Sequence, residues 1–317
     1  LKTKISKYNN FLEHYQSITL SIKNLDNIVP LFKDGNYIIT FFDSKRTLNL
    51  KIPKSIEKID RKTIYSLEEK VNTDFLQYIV NLKADRSFSK DDNDFKTVKE
   101  IDSWFETFEK LLKDIFEDND LKLEFDRKNY NFNILLKGHE KFDFNTLSDG
   151  YSSILNIITE LILRMENKKL KNYDVQGIVL IDEIETHLHI DLQKQILPFL
   201  IGFFPKIQFI VTTHSPFVLN SVNNAIIYDL EKRLKVDDLS GYSYEGIVES
   251  YFDSDQYSEI IKKKVKEYEK LMSKTKLTEE QEDKLIDLKL YFKQLPKFLS
   301  PELSLKIQQI ELAKIKK

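Results

Sequence analysis

The chain has 317 residues, 41% hydrophobic and 32% charged, with 49 Lys+Arg against 51 Asp+Glu for a formal net charge of -2. This composition supports a sizeable core and excludes wholesale disorder, and the balanced charge confines any nucleic-acid contact to a local patch. The cysteine count of 0 excludes disulfides, thiolate zinc sites and cysteine nucleophiles, and the low Gly 7 and Pro 7 exclude collagen-like and flexible low-complexity chains.

Residues 1 to about 34 read as helical, with Phe11, Leu12, Tyr15, Ile18 and Ile22 recurring at spacings of three and four. Asp34-Gly35-Asn36 signals a turn, and the short β-branched run Tyr37–Phe42 predicts a strand. Leu48–Ile52 alternates and predicts a second strand ending before Pro53. From Ile56 to about Asp118 the period is helical. Trp104, Phe105, Phe108, Leu111, Leu112 and Phe116 form one apolar stripe there, read as helix packing.

Leu121–Phe125 and Tyr130–Leu136 flank the turn Asp126–Asn129 and predict a hairpin. Ser152–Glu166 predicts an amphipathic helix. The continuous apolar run Gly177–Ile181 predicts a strand covered on both faces, Leu192–Phe203 a helix, Ile207–Thr212 a second buried strand and Ala225–Leu230 a third. Strand, helix and strand in succession imply a right-handed parallel α/β core. Residues 259–317 carry 15 Lys and 10 Asp+Glu, are Gly-free and read as helical with a break near Pro296 and Pro301. No internal repeat, no apolar run of the ~18 residues a membrane span needs and no signal-peptide pattern is present, so the expected location is the cytoplasm, with no membrane partner.

Three segments carry chemistry. The run Ile178–Ile181 ends in Asp182-Glu183, and a buried strand ending in two carboxylates is costly unless a cation or water sits there. Ligands of open parallel sheets bind beyond the carboxyl ends of the strands. Asp182 is placed to position Mg²⁺, and Glu183 to orient and deprotonate an attacking water. The bland alternative is a strand ending in a solvated acidic turn. Val211–Pro216 brings His214 to the end of the next strand, where a neutral imidazole offers one donor and one acceptor to a phosphate or a water. Ser148-Asp149-Gly150 precedes the Ser152 helix, whose N-terminus is a ready anion site or, alternatively, an ordinary cap. Arg46 reads as a phosphate or partner contact or a plain salt bridge. Lys262-Lys263-Lys264 with Lys266 reads as a nucleic-acid contact or, with Glu259, Glu267 and Glu269 among them, a solvated helix face.

Taken in order, these motifs resemble a known superfamily. Leu147-Ser148-Asp149-Gly150 is similar to the signature motif of ABC-type ATPases, the run to Asp182-Glu183 to their Walker B strand, and His214 to their switch histidine. Glu185-Thr186-His187-Leu188-His189 resembles the D-loop region of the overcoming-lysogenization-defect-like and AAA-named bacterial ATPases, which accounts for His187 and His189 without a metal. Residues 37–252 resemble the PtuA-type ATPases of Septu and retron-linked anti-phage defence, through the segments Phe41–Arg46, Phe142–Tyr151 and Gly241–Ser243.

The resemblance implies an ABC-type ATPase core with a parallel sheet, a helical insertion and a C-terminal helical tail. It places the remainder of lobe I at 1–54, the insertion at 55–120, lobe II at 121–240 and a partner-docking tail at 241–317. It implies ATP and Mg²⁺ as ligands, with Asp182 serving the metal and Glu183 and His214 acting in cis. Ser148, Asp149 and Gly150 then serve the nucleotide of a head-to-tail partner in a homo-oligomer. It implies a separate HNH-family nuclease as effector and, in retron-linked systems, a reverse transcriptase with its RNA–DNA hybrid; DNA is a further candidate. The chain departs from the pattern in having no G-x-x-x-x-G-K-[ST], and family order would put that phosphate-cradling loop upstream of Leu1. Two other readings stand beside hydrolysis: a nucleotide-binding scaffold without turnover, and a recombination-mediator-type DNA-repair ATPase.

Overall fold

A computed structural model describes residues 25–59, 61–67, 69–166, 175–236, 238–248, 259–274, 276–294 and 301–315. The helix expected around Phe11 to Ile22 lies outside the described residues. The chain divides into two compact units that meet between Gly241 and Tyr242.

In the first unit, helix α1 (Leu25–Lys33) leads into strand β1 (Tyr37–Phe42). Helices α2 (Phe75–Asp91) and α3 (Phe95–Phe116) pack on one another, and β2 (Lys122–Asp126), β3 (Asn131–Leu135) and β4 (Phe142–Asp143) form an antiparallel sheet. Helix α4 (Asp149–Met165), β5 (Gln176–Ile181), α5 (Ile190–Phe203), β6 (Ile207–Val211), α6 (Pro216–Asn220) and the strands β7 (Ile227–Asp229) and β8 (Leu234–Val236) complete it.

The central sheet is parallel with order β1-β5-β6, Phe42 pairing with Ile181 and Ile181 with Val211 at one edge. All three strands therefore end together, which sets the site. The expected parallel core is present, but its third strand is Tyr37–Phe42. The segment expected around Ala225–Leu230 pairs antiparallel with Leu234–Val236 instead, Tyr228 facing Lys235, because a tight reversal leaves no room for a crossover helix.

The predicted hairpin forms with Lys122 opposite Leu135, and Asp126 closes its turn by accepting from the Lys128 and Asn129 amides. Leu48–Ile52 is not a strand. Leu48 and Leu50 are buried in alternation, but the Leu48 N–H donates to Ser152 Oγ and the Leu50 N–H to Asn145 Oδ1, so side chains replace a ladder. Nor are the described residues between Ile56 and Val71 helical. The amides of Val71 and Asn72 donate to the Glu160 carboxylate, and the carbonyls of Ser66 and Glu69 accept from Arg164. These charged groups satisfy the backbone that a helix would otherwise have satisfied.

Ser152, Glu160 and Arg164 among these partners belong to α4. Its sequence reads as amphipathic, yet Gly150 and every residue from Ser152 to Met165 are buried. The polar face meets protein instead of water, and Glu160 and Arg164 pair there at 2.6 Å. Around α4 lies one continuous core in which Trp104, Phe105, Phe108, Leu111 and Leu112 of the α3 stripe are buried and Phe116 packs at the edge.

The second unit contains α7 (Glu259–Ser273), α8 (Glu279–Gln294) and α9 (Pro301–Ile315), with Pro301 at the first helical position and Pro296 outside the described residues. Tyr268, Leu271, Met272, Leu285 and Leu288 form its core, and the buried Tyr268 hydroxyl donates to Glu311 Oε1 at 3.0 Å. Lys262 pairs with Glu259, and the Lys264 ammonium lies 4.1 Å from the Tyr291 ring centre.

Candidate functional site

Strand β5 runs into the acidic pair, and its neighbours fix the geometry. The Asp182 N–H donates to the Phe42 carbonyl at 2.9 Å, and the Thr212 N–H to the Ile181 carbonyl at 3.0 Å. The Thr212 hydroxyl then serves both acids, donating to Asp182 Oδ1 at 2.6 Å and accepting from the Glu183 N–H at 2.8 Å. Sequence reasoning passed over Thr212; a hydroxyl at the end of the strand beside an acid pair was the available signal.

Glu183 sits at φ 46 and His187 at φ 68, the left-handed region that costs a residue with a Cβ. Such strain collects where the surrounding structure over-determines a functional loop. His214 Nε2 lies 3.4 Å from Glu183 Oε1, and the imidazole is 83% exposed. Its backbone is held from below, since the His214 N–H donates to Glu185 Oε1 at 2.6 Å. Ser215 caps α6 by accepting from the Phe217 and Val218 amides and donates to Gln193 Oε1 at 2.7 Å. The imidazole is thus anchored through its main chain while its ring stays open to solvent. Burial, followed by the Glu185 charge, pushes the Glu183 carboxyl above its ordinary range, with His214 opposing. A carboxylate so shifted is a stronger base once ionised.

Ser148, Asp149 and Gly150 lie at the mouth of α4. Ser148 is the N-cap, with extended backbone (φ −62, ψ 157), but its hydroxyl makes no capping hydrogen bond; Ser148 and Asp149 are exposed. Gly150 is buried, and a Cβ there would come within 3.0 Å of the His187 carbonyl oxygen, so the loop after the acidic pair packs against the helix mouth. The structure brings Asp182, Glu183 and His214 together. Among the described residues, Ser148 and Asp149 make no hydrogen bond to that trio.

Arg46 corrects both of its sequence readings. It is 3% exposed and, among the described residues, pairs with no carboxylate at hydrogen-bond distance. Its guanidinium donates to the carbonyls of Asp43, Asp182, Glu183 and Ile184 and to Ser153 Oγ.

A Mg²⁺ ion fits Asp182. Its carboxylate is a hard oxygen donor oriented by Thr212, and Mg²⁺ favours one or two carboxylates plus phosphate oxygens and waters over an all-protein cage. Among the described residues no group of three or more His, Asp or Glu residues could hold a metal by itself, and no helix is long and apolar enough to cross a membrane.

A family model described as "AAA domain, putative AbiEii toxin, Type IV TA system" matches residues 67–220, the stretch that contains Ser148, Asp182, Glu183 and His214. The parallel sheet with the acid pair at its carboxyl edge is the α/β arrangement expected from the sequence. More particularly, the chain is related to the PtuA and retron ATPases. It is 40% identical over 114 residues to Septu protein PtuA of Bacillus mycoides (strain KBAB4), covering 33% of this chain and 16% of that protein. It is 30% identical over 239 residues to the Retron Vc95 probable ATPase of Vibrio cholerae serotype O1 biovar El Tor, covering 73% and 40%. It is 29% identical over 219 residues to Septu protein PtuA of Bacillus thuringiensis, covering 63% and 52%. The aligned regions thus span between 16% and 52% of these curated relatives.

Proposed function

We propose that this chain is the ATP-binding and hydrolysing subunit of a cytoplasmic bacterial anti-phage defence complex, acting in head-to-tail dimers within a homo-oligomer and controlling an associated HNH-family nuclease. The observation that carries this reading is the convergence of Asp182, Glu183 and His214 at the carboxyl edge of β5 and β6, with Glu183 and His214 3.4 Å apart. Support for the defence setting comes from the names of the Septu and retron relatives.

In this mechanism Mg²⁺, when bound, neutralises the developing charge on the phosphates. Asp182, held by Thr212, would hold that ion. Glu183 takes the proton of an attacking water, and His214, open to solvent, donates to the terminal phosphate. Ser148 and the free amides at the mouth of α4 meet the nucleotide bound by the partner subunit. A docking role for residues 241–317, and in a retron-linked setting contact with a reverse transcriptase and its RNA–DNA hybrid, belong to the same proposal.

Hydrolysis also needs a phosphate-cradling loop of the G-x-x-x-x-G-K-[ST] type, which the 317 residues do not contain. Phosphate release is therefore measured on the complete gene product, together with ATP binding. Release by the wild type that disappears in Glu183→Gln supports the reading. Equal inactivity of both with ATP still bound replaces it with a scaffold that uses nucleotide only to assemble. ATP-dependent binding of double-stranded DNA by this subunit alone, lost at high salt, favours a repair ATPase.

A further inference from the structure

The segment after β1 is lashed to α4 by consecutive hydrogen bonds. Arg46 Nε donates to Ser153 Oγ at 3.0 Å, Asn156 Nδ2 to the Thr47 carbonyl at 3.0 Å and the Leu48 N–H to Ser152 Oγ at 2.8 Å. Arg46 alone also reaches the acidic loop. Nη1 donates to the carbonyls of Asp43 at 2.7 Å and Asp182 at 2.6 Å, and Nη2 to those of Glu183 at 2.8 Å and Ile184 at 3.2 Å. All five guanidinium N–H groups are spent, one on the helix, one on the Asp43 carbonyl and three on the acidic loop.

Burying a cation among carbonyls is costly, and an apolar side chain could fill the same volume. What an apolar side chain cannot do is hold three successive carbonyls in the turn that gives Glu183 its left-handed backbone. Lys cannot replace it either, because an ammonium has three donors and no planar fork.

We infer that Arg46 is a positioning residue that joins the acidic loop of one nucleotide site to the helix mouth serving the other. This role depends on the head-to-tail reading proposed above. In such a dimer Glu183 and Ser148 of one protomer face different nucleotides, and Ser153 lies little more than one helical turn beyond Ser148. A shift of α4 on nucleotide contact then reaches the Glu183 carbonyl through a single rigid side chain. The expected result is cooperativity between the two sites.

The test measures phosphate release by the complete gene product against ATP concentration, for wild type, Ser153→Ala and Arg46→Lys, with melting curves for each. Wild type is expected to be sigmoidal. Ser153→Ala cuts only the arm to α4 and is expected to bring the Hill coefficient to about 1. Arg46→Lys is expected to lower kcat at least about tenfold with KM within about threefold, the mark of a transition-state effect. A hyperbolic wild type, or a Ser153→Ala variant with the wild-type Hill coefficient, overturns the link. An unchanged kcat in Arg46→Lys, or a rise in KM as large as the fall in kcat, overturns the positioning role. Should Arg46→Lys fail to fold, Ser153→Ala decides the matter by itself, since it removes one hydroxyl. Absence of phosphate release in wild type, with ATP bound equally by Asp182→Ala, overturns the ATPase reading first and this role with it.

Discussion

The carboxylate of Glu183 and the imidazole of His214 stand 3.4 Å apart because β5 and β6 are parallel neighbours that end in register, Ile181 beside Val211. Glu183→Gln keeps the size of the side chain and removes the base. Phosphate release is expected to fall at least about 100-fold, while ATP binding persists and the protein accumulates as an ATP-loaded dimer. Coupled phosphate release and light scattering read both effects.

Ser148 is exposed and its hydroxyl caps nothing, so Ser148→Arg leaves the fold intact and crowds only what approaches the helix mouth. Nucleotide binding in cis is expected to survive and dimer formation with ATP to be lost. Normal hydrolysis by this variant would remove the trans assignment.

Gly177 lies where β5 is squeezed between its neighbours. A Cβ there would sit 2.5 Å from both the Ile38 Cγ1 and its carbonyl oxygen, and 3.0 Å from Ile207 Cδ1. Gly177→Ala is therefore expected to destabilise the first unit by about 1–3 kcal/mol, read from urea denaturation.

Glu160 accepts from Arg164 Nε at 2.6 Å and from the amides of Val71 and Asn72 at 2.9 Å, all deep in the core. Glu160→Ala strands a buried cation and two amides together. The expected cost is about 3–5 kcal/mol, and a loss below about 1 kcal/mol would show that water reaches the pair.

Glu166 is buried at the end of α4, and burial holds its carboxyl above the ordinary range despite the influence of the Tyr78 hydroxyl and the nearby Arg61 charge. The unfolded chain releases that proton at lower pH. The protonated group thus favours the fold in acid, and the contribution is lost as pH rises through the folded value. Glu166→Gln is expected to raise the melting temperature relative to wild type near about pH 8 and to confer no advantage near about pH 4.

Some of this was legible in the sequence. The continuous apolar runs of β5 and β6 announce neighbouring strands, and the acids and the His that follow them announce a common edge, but the expected cover on both faces of β6 is not found among the described residues, where Gln208 and Ile210 are exposed. The hairpin at Asp126 is written in its turn residues. Other features were hidden because their partners are distant or lie on the main chain. Alternation in Leu48–Ile52 is that of a strand, and nothing local shows that Ser152 and Asn145 will take its amides. The Glu160–Arg164 pair marks an exposed helix face in most sequences, and here it feeds a neighbouring segment. Arg46 spends its donors on carbonyls, which no motif records.

Helix α4 is enclosed on every side from Ser152 to Met165. A rod so encased has no room to pivot, and its exposed tip at Ser148 and Asp149 is a place where an outside molecule can push on it. Any thrust at that tip is delivered along its axis into the hydrophobic interior, so the helix passes it on whole and does not bend.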